Sequence, residues 1–383
     1  MSIERCFNVS DFRRIAKKRL PAPMFHYIDG GSDDEWSLKN NSSAFHKYEL
    51  LPRTLVDISH VDLKTKFLGC ETSLPIFLSP TGGTQMFHPG KELAVARAAH
   101  KEGLLYGLST VGTTKLEDLA AETSSPKMFQ LYIFKDRELT EELIERCKAA
   151  KYQALCLTVD TIVGGNRERD LVTGMSIPPK FTLQSLMSIA SKPAWVYKTI
   201  RGGKIDIANI SHRIDRGASE HASVSARIDE QFDRSLTWED ARWMAEKWGG
   251  PFVIKGILTP EDALRARDIG ASAVMLSNHG GRQLDCTPAP IDMVAKVRAA
   301  VGDDLEIIVD GGIRRGTDVL KALALGANAC SIGRPYLYGL AAGGEAGVAR
   351  VLQLLRDEII RGASMMGCRS VDEITTDHVQ RKS

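Results

Sequence analysis

The stretch FVIKGILTPEDALRARDIGASAVMLSNHGGRQLD, Phe252–Asp285, decides the fold. It opens on an apolar run of strand length, FVIKGI, continues through a helical pattern, PEDALRARDIGA, and returns to a second apolar run, AVMLSN. Continuous apolar strands separated by an amphipathic helix imply a parallel sheet covered by helices, because a half-exposed antiparallel strand would alternate polar and apolar positions. The chain then leaves the second strand into SNHGGRQLD, where a histidine, an arginine and an aspartate surround two glycines.

The same unit recurs along the chain. LPIFLSP from Leu74, YGLST from Tyr106, MFQLYI from Met128 and ALCLTVD from Ala154 precede it, and EIIVDGG from Glu306 and ACSIGR from Ala329 follow. Helical patterns such as ELAVARAAHKEG, RELTEELIERCKAA and TDVLKALALGA lie between them. Eight such runs predict an α/β protein built as a (β/α)8 TIM barrel, with an open doubly wound sheet as the alternative. The expected organisation is a single domain over 1–383, with an N-terminal helical cap over 1–70, the barrel over 71–367 and a C-terminal tail over 368–383. Ser10 is the expected N-cap of DFRRIAKKRL. Residues 161–236 form a long insertion after strand 4, too long for an ordinary connection and therefore a candidate lid or binding element.

Composition narrows the function classes. With 383 residues, 43% of them hydrophobic, the chain can bury a large core. Fifty basic against 48 acidic residues leave a net charge of +2, which does not suggest nucleic acid as a partner. The seven cysteines contain no CxxC, which argues against a disulfide framework or a metal site and fits a reducing compartment. MSIERCFNVSDFRRIAKKRLP has no apolar core of a signal peptide, so none is expected. The absence of a long uncharged apolar run excludes a spanning helix but not attachment to a membrane surface.

A barrel of this kind builds its active site at the carboxyl ends of its strands. Pooling the residues there gives Gly82, Ser109, Gln130, Tyr132, Thr158, Asp160, Lys255, Ser277, His279, Arg282, Asp310, Arg314, Gly333 and Arg334. The last two strands end in DGGIRRG and SIGRP, glycine turns with arginines leading into helices, which together favour a phosphate site.

SNHGGRQLD, with FQLY, LTVD and VIKGI upstream and DGGIRRG and IGRP downstream, resembles the FMN-dependent L-2-hydroxy acid dehydrogenase and oxidase family from about Phe7 to the C-terminus. That family includes L-lactate dehydrogenases, mandelate dehydrogenases and glycolate oxidases. The resemblance implies FMN as cofactor and His279 as catalytic base, paired with Asp160. It implies a carboxylate clamp of Arg282 and Arg167 helped by Tyr27, with Tyr132 on the substrate oxygen; Arg169 beside Arg167 reads as a solvated structural charge. Lys255 is expected at the N1 and O2 edge of the flavin, and Pro80, Thr81, Gly82, Ser109, Gln130, Thr158 and Ser277 around the ring. Asp310 is expected on the ribityl chain and Gly311, Gly312, Arg314, Gly333 and Arg334 at the phosphate, while Gly280 and Gly281 let backbone pass close to a planar cofactor.

Val111, in LSTVGTT, matches the position facing the substrate's C2 substituent and leaves room for a methyl, so L-lactate is the expected substrate and pyruvate the product. A mandelate or longer-chain dehydrogenase and an oxygen-using oxidase are the alternatives. Gly82 stands where family dehydrogenases carry glycine, which points to a quinone or cytochrome acceptor. A reading of another class is a barrel that binds a phosphorylated ligand without redox chemistry.

Within the insertion, residues 178–204 carry Lys180, Lys192, Lys198, Arg201 and Lys204, no acidic residue, and Phe181, Leu186, Met187, Trp195 and Tyr197. That mixture suggests peripheral contact with an anionic membrane, on the cytoplasmic side of an inner membrane; a flap packed on the protein itself or a subunit interface is the alternative. The following RIDRGASEHASVSARIDE, residues 213–230, reads as a mobile lid. The family resemblance also implies a homotetramer.

Overall fold

The structure, a computed structural model, describes residues 2–175, 180–214 and 232–382. The chain begins with helices α1 (Val9–Arg19), α2 (Ala22–Asp29) and α3 (Trp36–Ser43), then strand β1 (Tyr48–Leu50) and a hairpin of β2 (Thr65–Phe67) and β3 (Cys70–Thr72). Eight parallel strands follow: β4 (Ile76–Leu78), β5 (Tyr106–Ser109), β6 (Lys127–Leu131), β7 (Ala154–Thr158), β8 (Phe252–Ile257), β9 (Ala273–Leu276), β10 (Glu306–Asp310) and β11 (Ala329–Ile332). They close into a barrel when β11 pairs with β4, Cys330 opposite Ile76. All eight runs read from the sequence are strands, and almost every residue in them is buried, as strands covered on both faces require.

Helices α4 (Lys91–Lys101), α5 (Leu116–Glu122) and α6 (Arg137–Ala149) wrap the first half of the barrel. The insertion after β7 contributes α7 (Glu168–Val172), α8 (Leu183–Ala190), α9 (Pro193–Arg201) and α10 (Ser211–Ile214). The second half adds α11 (Trp238–Trp248), α12 (Pro260–Asp268), α13 (Pro290–Val301), α14 (Gly316–Ala324), the long α15 (Arg334–Met366) and strand β12 (Val379–Arg381). RIDRGASEHASVSARIDE, apart from Arg213 and Ile214, lies outside the described residues.

The expected cap is helical only in part. Phe67, Leu68 and Cys70 of the β2–β3 hairpin join Phe77, Met128, Cys156, Val253, Met275 and Ile308 in one buried cluster inside the barrel. The hairpin therefore closes the amino-terminal end of the barrel, and the carboxyl end is left for a site. The C-terminal segment is not a free tail either: β12 pairs antiparallel with β1, Glu49 opposite Gln380. Helix α1 starts before the expected cap, and Asn8, not Ser10, accepts the hydrogen bond from the Asp11 backbone N–H at 3.0 Å. Ser10 lies inside the helix, so its hydroxyl has no cap to make.

Candidate active site

The SNHGGRQLD turn is held by the N-terminal segment. Asn41 and Asn278 exchange amide hydrogen bonds of 2.7 and 2.8 Å, and the Asp285 carboxylate accepts from the backbone N–H groups of Trp36 and Ser37 at 3.1 and 2.7 Å. The Gly281 carbonyl accepts from Ser32 N–H at 2.9 Å. Gly280 and Gly281 both adopt positive φ, and a Cβ on Gly280 would lie 2.6 Å from Arg334 Nη1, while one on Gly281 would meet the backbone of Leu38. Close protein contacts therefore also require glycine at both positions.

Between them and the strand stands His279, with φ of +57°, a region that non-glycine residues rarely occupy and that costs backbone strain. Its Nδ1 lies 2.9 Å from Asp160 Oδ1, leaving Nε2 as the nitrogen free for chemistry. Burial holds the His279 imidazole below its usual pKa, with Asp160 pulling the other way. Burial also opposes the Asp160 charge, but Lys255 and His279 outweigh it and keep the carboxyl below the usual range. A neutral imidazole backed by an ionised carboxylate can accept a proton and stabilise the resulting cation.

Lys255, in β8, is 4% exposed, with Nζ 3.9 Å from Asp160, 3.5 Å from Asp310 and 3.2 Å from Ser277 Oγ. Burial disfavours its charge, yet the two carboxylates raise its pKa overall. Asp310 in turn accepts from Ser79, Ser277 and Ser331 hydroxyls at 2.9, 2.7 and 2.5 Å. Of these three serines, sequence reasoning singled out only Ser277; Ser79 and Ser331 are uncharged strand-end residues, whose shared partner is visible only once the barrel closes and sets β10, β11 and β4 in that order.

Tyr27, from α2, lies under two guanidinium groups, with Arg282 at 4.8 Å and Arg167 at 5.5 Å from its ring centroid. Arg282 also donates to the Tyr27 carbonyl. Burial and the charge of Arg167 both push the Arg282 pKa down. Two converging guanidinium groups form an anion site suited to a carboxylate. The Tyr132 ring packs on Phe232 with centroids 5.3 Å apart, and burial raises its pKa. Phe232, where the insertion rejoins the barrel, also stacks on Phe134 and was not foreseen.

Arg169 is a partly exposed structural charge. It binds Asp29 at 3.2 Å and Glu35, tying the insertion to the cap. Arg334 donates from Nε, Nη1 and Nη2 to the carbonyls of Ile28, Gly280 and Gly30 at 2.9, 2.8 and 2.8 Å. Burial lowers its pKa to about 10. What the start of α15 offers an anion is therefore backbone N–H groups beside a guanidinium that gives three of its five N–H groups to carbonyls. Arg314 donates to its neighbour's carbonyl at 2.8 Å, and the Gly311 and Gly312 turn has positive φ at both residues.

The strand ends fit FMN. Ser109 donates to Gln130 Oε1 at 2.7 Å, leaving Gln130 Nε2 buried without a hydrogen-bond partner among the described residues, as are Thr158 Oγ1 and Asp160 Oδ2. Buried donors and acceptors of this kind on neighbouring strands suit a polar ligand, and the rim of an isoalloxazine ring supplies complementary groups. Gly82 and Val111 touch at this end: a Cβ on Gly82 would lie 2.6 Å from Val111 Cγ2. Thr81 Oγ1 is 2.6 Å from the Tyr336 hydroxyl, and Pro80 packs against Gly107. A cavity of about 540 Å³ lies away from this site, on the outer wall of the barrel beside Lys115, Glu142, Arg146 and His212. Volume alone does not locate the chemistry.

In the insertion, Leu183, Leu186 and Met187 of α8 and Tyr197 and Ile200 of α9 are exposed. Trp195 and Phe181 instead turn inward, and Trp195 Nε1 donates to the Met86 carbonyl at 2.9 Å, so the apolar surface is narrower than the sequence suggested. No helix among the described residues is long and apolar enough to cross a membrane.

The sequence pattern of FMN-dependent dehydrogenases matches residues 16–381. A glycolate oxidase of Spinacia oleracea is 40% identical over 372 residues, covering 97% of this chain and 95% of the relative. An (S)-mandelate dehydrogenase of Pseudomonas putida is 38% identical over 379 residues, covering 99% and 95%. Among solved structures, a monotopic membrane protein, (S)-mandelate dehydrogenase, superposes with a TM-score of 0.93 at 38% identity, covering 99% of this chain and all of that one. A mandelate oxidase with benzoyl-formic acid gives 0.83 at 35% identity, covering 98% of each chain.

Proposed function

This chain belongs to the FMN-dependent dehydrogenase family and oxidises a 2-hydroxy acid with FMN, and from that premise we propose that the substrate is L-lactate, converted to pyruvate, with electrons passed to a quinone or a cytochrome. The observation that carries the site assignment is the pair of guanidinium groups sharing the Tyr27 ring beside the His279–Asp160 pair.

Arg282 and Arg167 bind and orient the substrate carboxylate, with Tyr27 as their platform. Tyr132 hydrogen-bonds the 2-oxygen. His279 takes the substrate proton at Nε2, and Asp160 holds the opposite nitrogen and stabilises the imidazolium. FMN, when bound, supplies the two-electron acceptor. Ser109, Gln130, Thr158, Ser277 and Lys255 would hold the ring with Pro80, Thr81 and Gly82 beside it, Asp310 would hold the ribityl chain, and Gly311, Gly312, Arg314, Gly333 and Arg334 would hold the phosphate. The fixed charge of Lys255 would favour electron uptake by a ring held there.

Val111 supports lactate, since a medium aliphatic side chain leaves space for a methyl. The likeness to mandelate dehydrogenase favours mandelate as a second reading. The test is anaerobic bleaching of the flavin band of purified holoprotein by L-lactate, mandelate, glycolate and longer 2-hydroxy acids. Lactate is expected to reduce the flavin fastest, by a factor of about ten or more, given the few kcal/mol a pocket gains per methylene. Faster bleaching by mandelate overturns the lactate assignment, and a protein that cannot be loaded with FMN overturns the whole reading.

The exposed apolar residues of α8 and α9, interleaved with the exposed Lys198 and Arg201, support peripheral attachment to an anionic membrane surface, cytoplasmic in orientation, which would bring the flavin near a quinone. A homotetramer is the assembly proposed. Sedimentation with anionic but not neutral vesicles, lost at high salt, is the expected result; no sedimentation at low salt rules attachment out.

A further inference from the structure

Asp170 is a buried carboxylate that the chemistry above leaves unused. It lies in α7, three residues beyond Arg167, and is 6% exposed. Its Oδ2 is 3.5 Å from Arg167 Nε, and its backbone is fixed by hydrogen bonds from its own N–H to the Arg167 carbonyl at 2.9 Å and from Met175 N–H to its carbonyl at 2.8 Å. The charged and titratable groups facing it are Arg282, Arg167, His26 and Arg169. Burial raises its pKa, and these neighbours act against that rise.

The arrangement has an electrostatic consequence. Two guanidinium groups over one tyrosine ring repel each other, and inside a protein that repulsion is screened far less than in water. A carboxylate against Arg167 cancels one of the two positive charges. It engages the Nε edge, so the terminal nitrogens of Arg167 remain for another anion.

We propose that Asp170 is the resident counter-anion of the carboxylate clamp, lowering its net charge to match one substrate carboxylate and so allowing the 2-oxo acid product to leave. This inference rests on the clamp assigned above. Asp170 acts through Arg167 and is a positioning and affinity-setting residue.

The test is the affinity of FMN-loaded protein for oxalate, read as a perturbation of the flavin spectrum. In Asp170→Asn the side chain keeps its shape and an acceptor oxygen but loses its charge. A unit charge roughly 7 Å from a bound carboxylate at an effective dielectric of about 20 changes affinity about ten- to fiftyfold, so Asp170→Asn is expected to bind oxalate that much more tightly. Asp170→Glu, which keeps the charge, is expected to stay within about threefold of wild type. A merely structural role predicts the opposite sign, because damage to the clamp weakens binding. Unchanged or weaker oxalate binding in Asp170→Asn, or loss of FMN from it, overturns the proposal. If oxalate affinity is also indifferent to Arg282→Lys and Arg167→Lys, the clamp itself is misassigned; if only the Asp170 variant behaves as wild type, the clamp stands and this inference fails.

Discussion

Arg282→Lys puts the clamp to its most direct test. The Arg282 guanidinium lies 4.8 Å above Tyr27 and is anchored to the Tyr27 carbonyl, so the side chain is oriented before substrate arrives. Lysine loses the planar fork, and with it one charge-assisted hydrogen bond worth about 1.5 to 3 kcal/mol. It also loses much of the stacking on the ring, worth about 0.5 to 2 kcal/mol. The sum, roughly 2 to 5 kcal/mol, corresponds to a factor of about thirty to several thousand in affinity for a carboxylate. Titration of oxalate into FMN-loaded protein reads binding, and stopped-flow flavin reduction by L-lactate reads orientation. The two are expected to fall together, because one guanidinium both holds and aligns the substrate. Oxalate affinity within threefold of wild type would refute the assignment of Arg282.

Four further outcomes follow from the same geometry. His279→Asn is expected to retain FMN while slowing flavin reduction by about two to four orders of magnitude, the usual contribution of a general base; near-normal reduction sinks that role. Because burial keeps His279 below its usual pKa, the reactive neutral form persists as pH falls, so the acid limb of flavin reduction is expected below about 6.5. Asp160→Asn removes the main influence raising that pKa, so the limb should move further down while the plateau rate drops; an upward move contradicts the pairing. Gly82→Ala places a methyl 2.6 Å from Val111 Cγ2, forcing Val111 to shift. It is expected to slow reduction, alter the ranking of hydroxy acids and raise the rate at which oxygen reoxidises photoreduced protein. An unchanged oxygen rate in stopped flow shows that Gly82 does not govern the acceptor.

The barrel was legible because strands buried on both faces must be written as apolar runs, and helices between them keep their own period. The closing hairpin and β12 were not, since TKF, CET and VQR are three-residue strands with no pattern to read. Much of the site was legible for a related reason: His279, Asp160 and Lys255 are charged or titratable groups at the ends of apolar strands, where only chemistry or pairing justifies them. What escaped were partnerships made across the fold. The ion pairs of Arg169 do not show in NRERD because Asp29 and Glu35 lie far upstream, and the three carbonyls that hold Arg334 belong to the cap and the histidine turn.

The Asn41–Asn278 amide pair spans 237 residues, and the Asp285 contacts to Trp36 and Ser37 span 249 and 248. Vectorial synthesis therefore delivers α3 long before the turn it must hold. Closing a loop of that length is entropically costly, and contacts so distant along the chain form slowly. A nascent polypeptide that has completed only the first four barrel strands lacks both His279 and the turn that strains it. Catalytic competence is thus a late event in maturation, reached only when the N-terminal helices and the histidine turn have met.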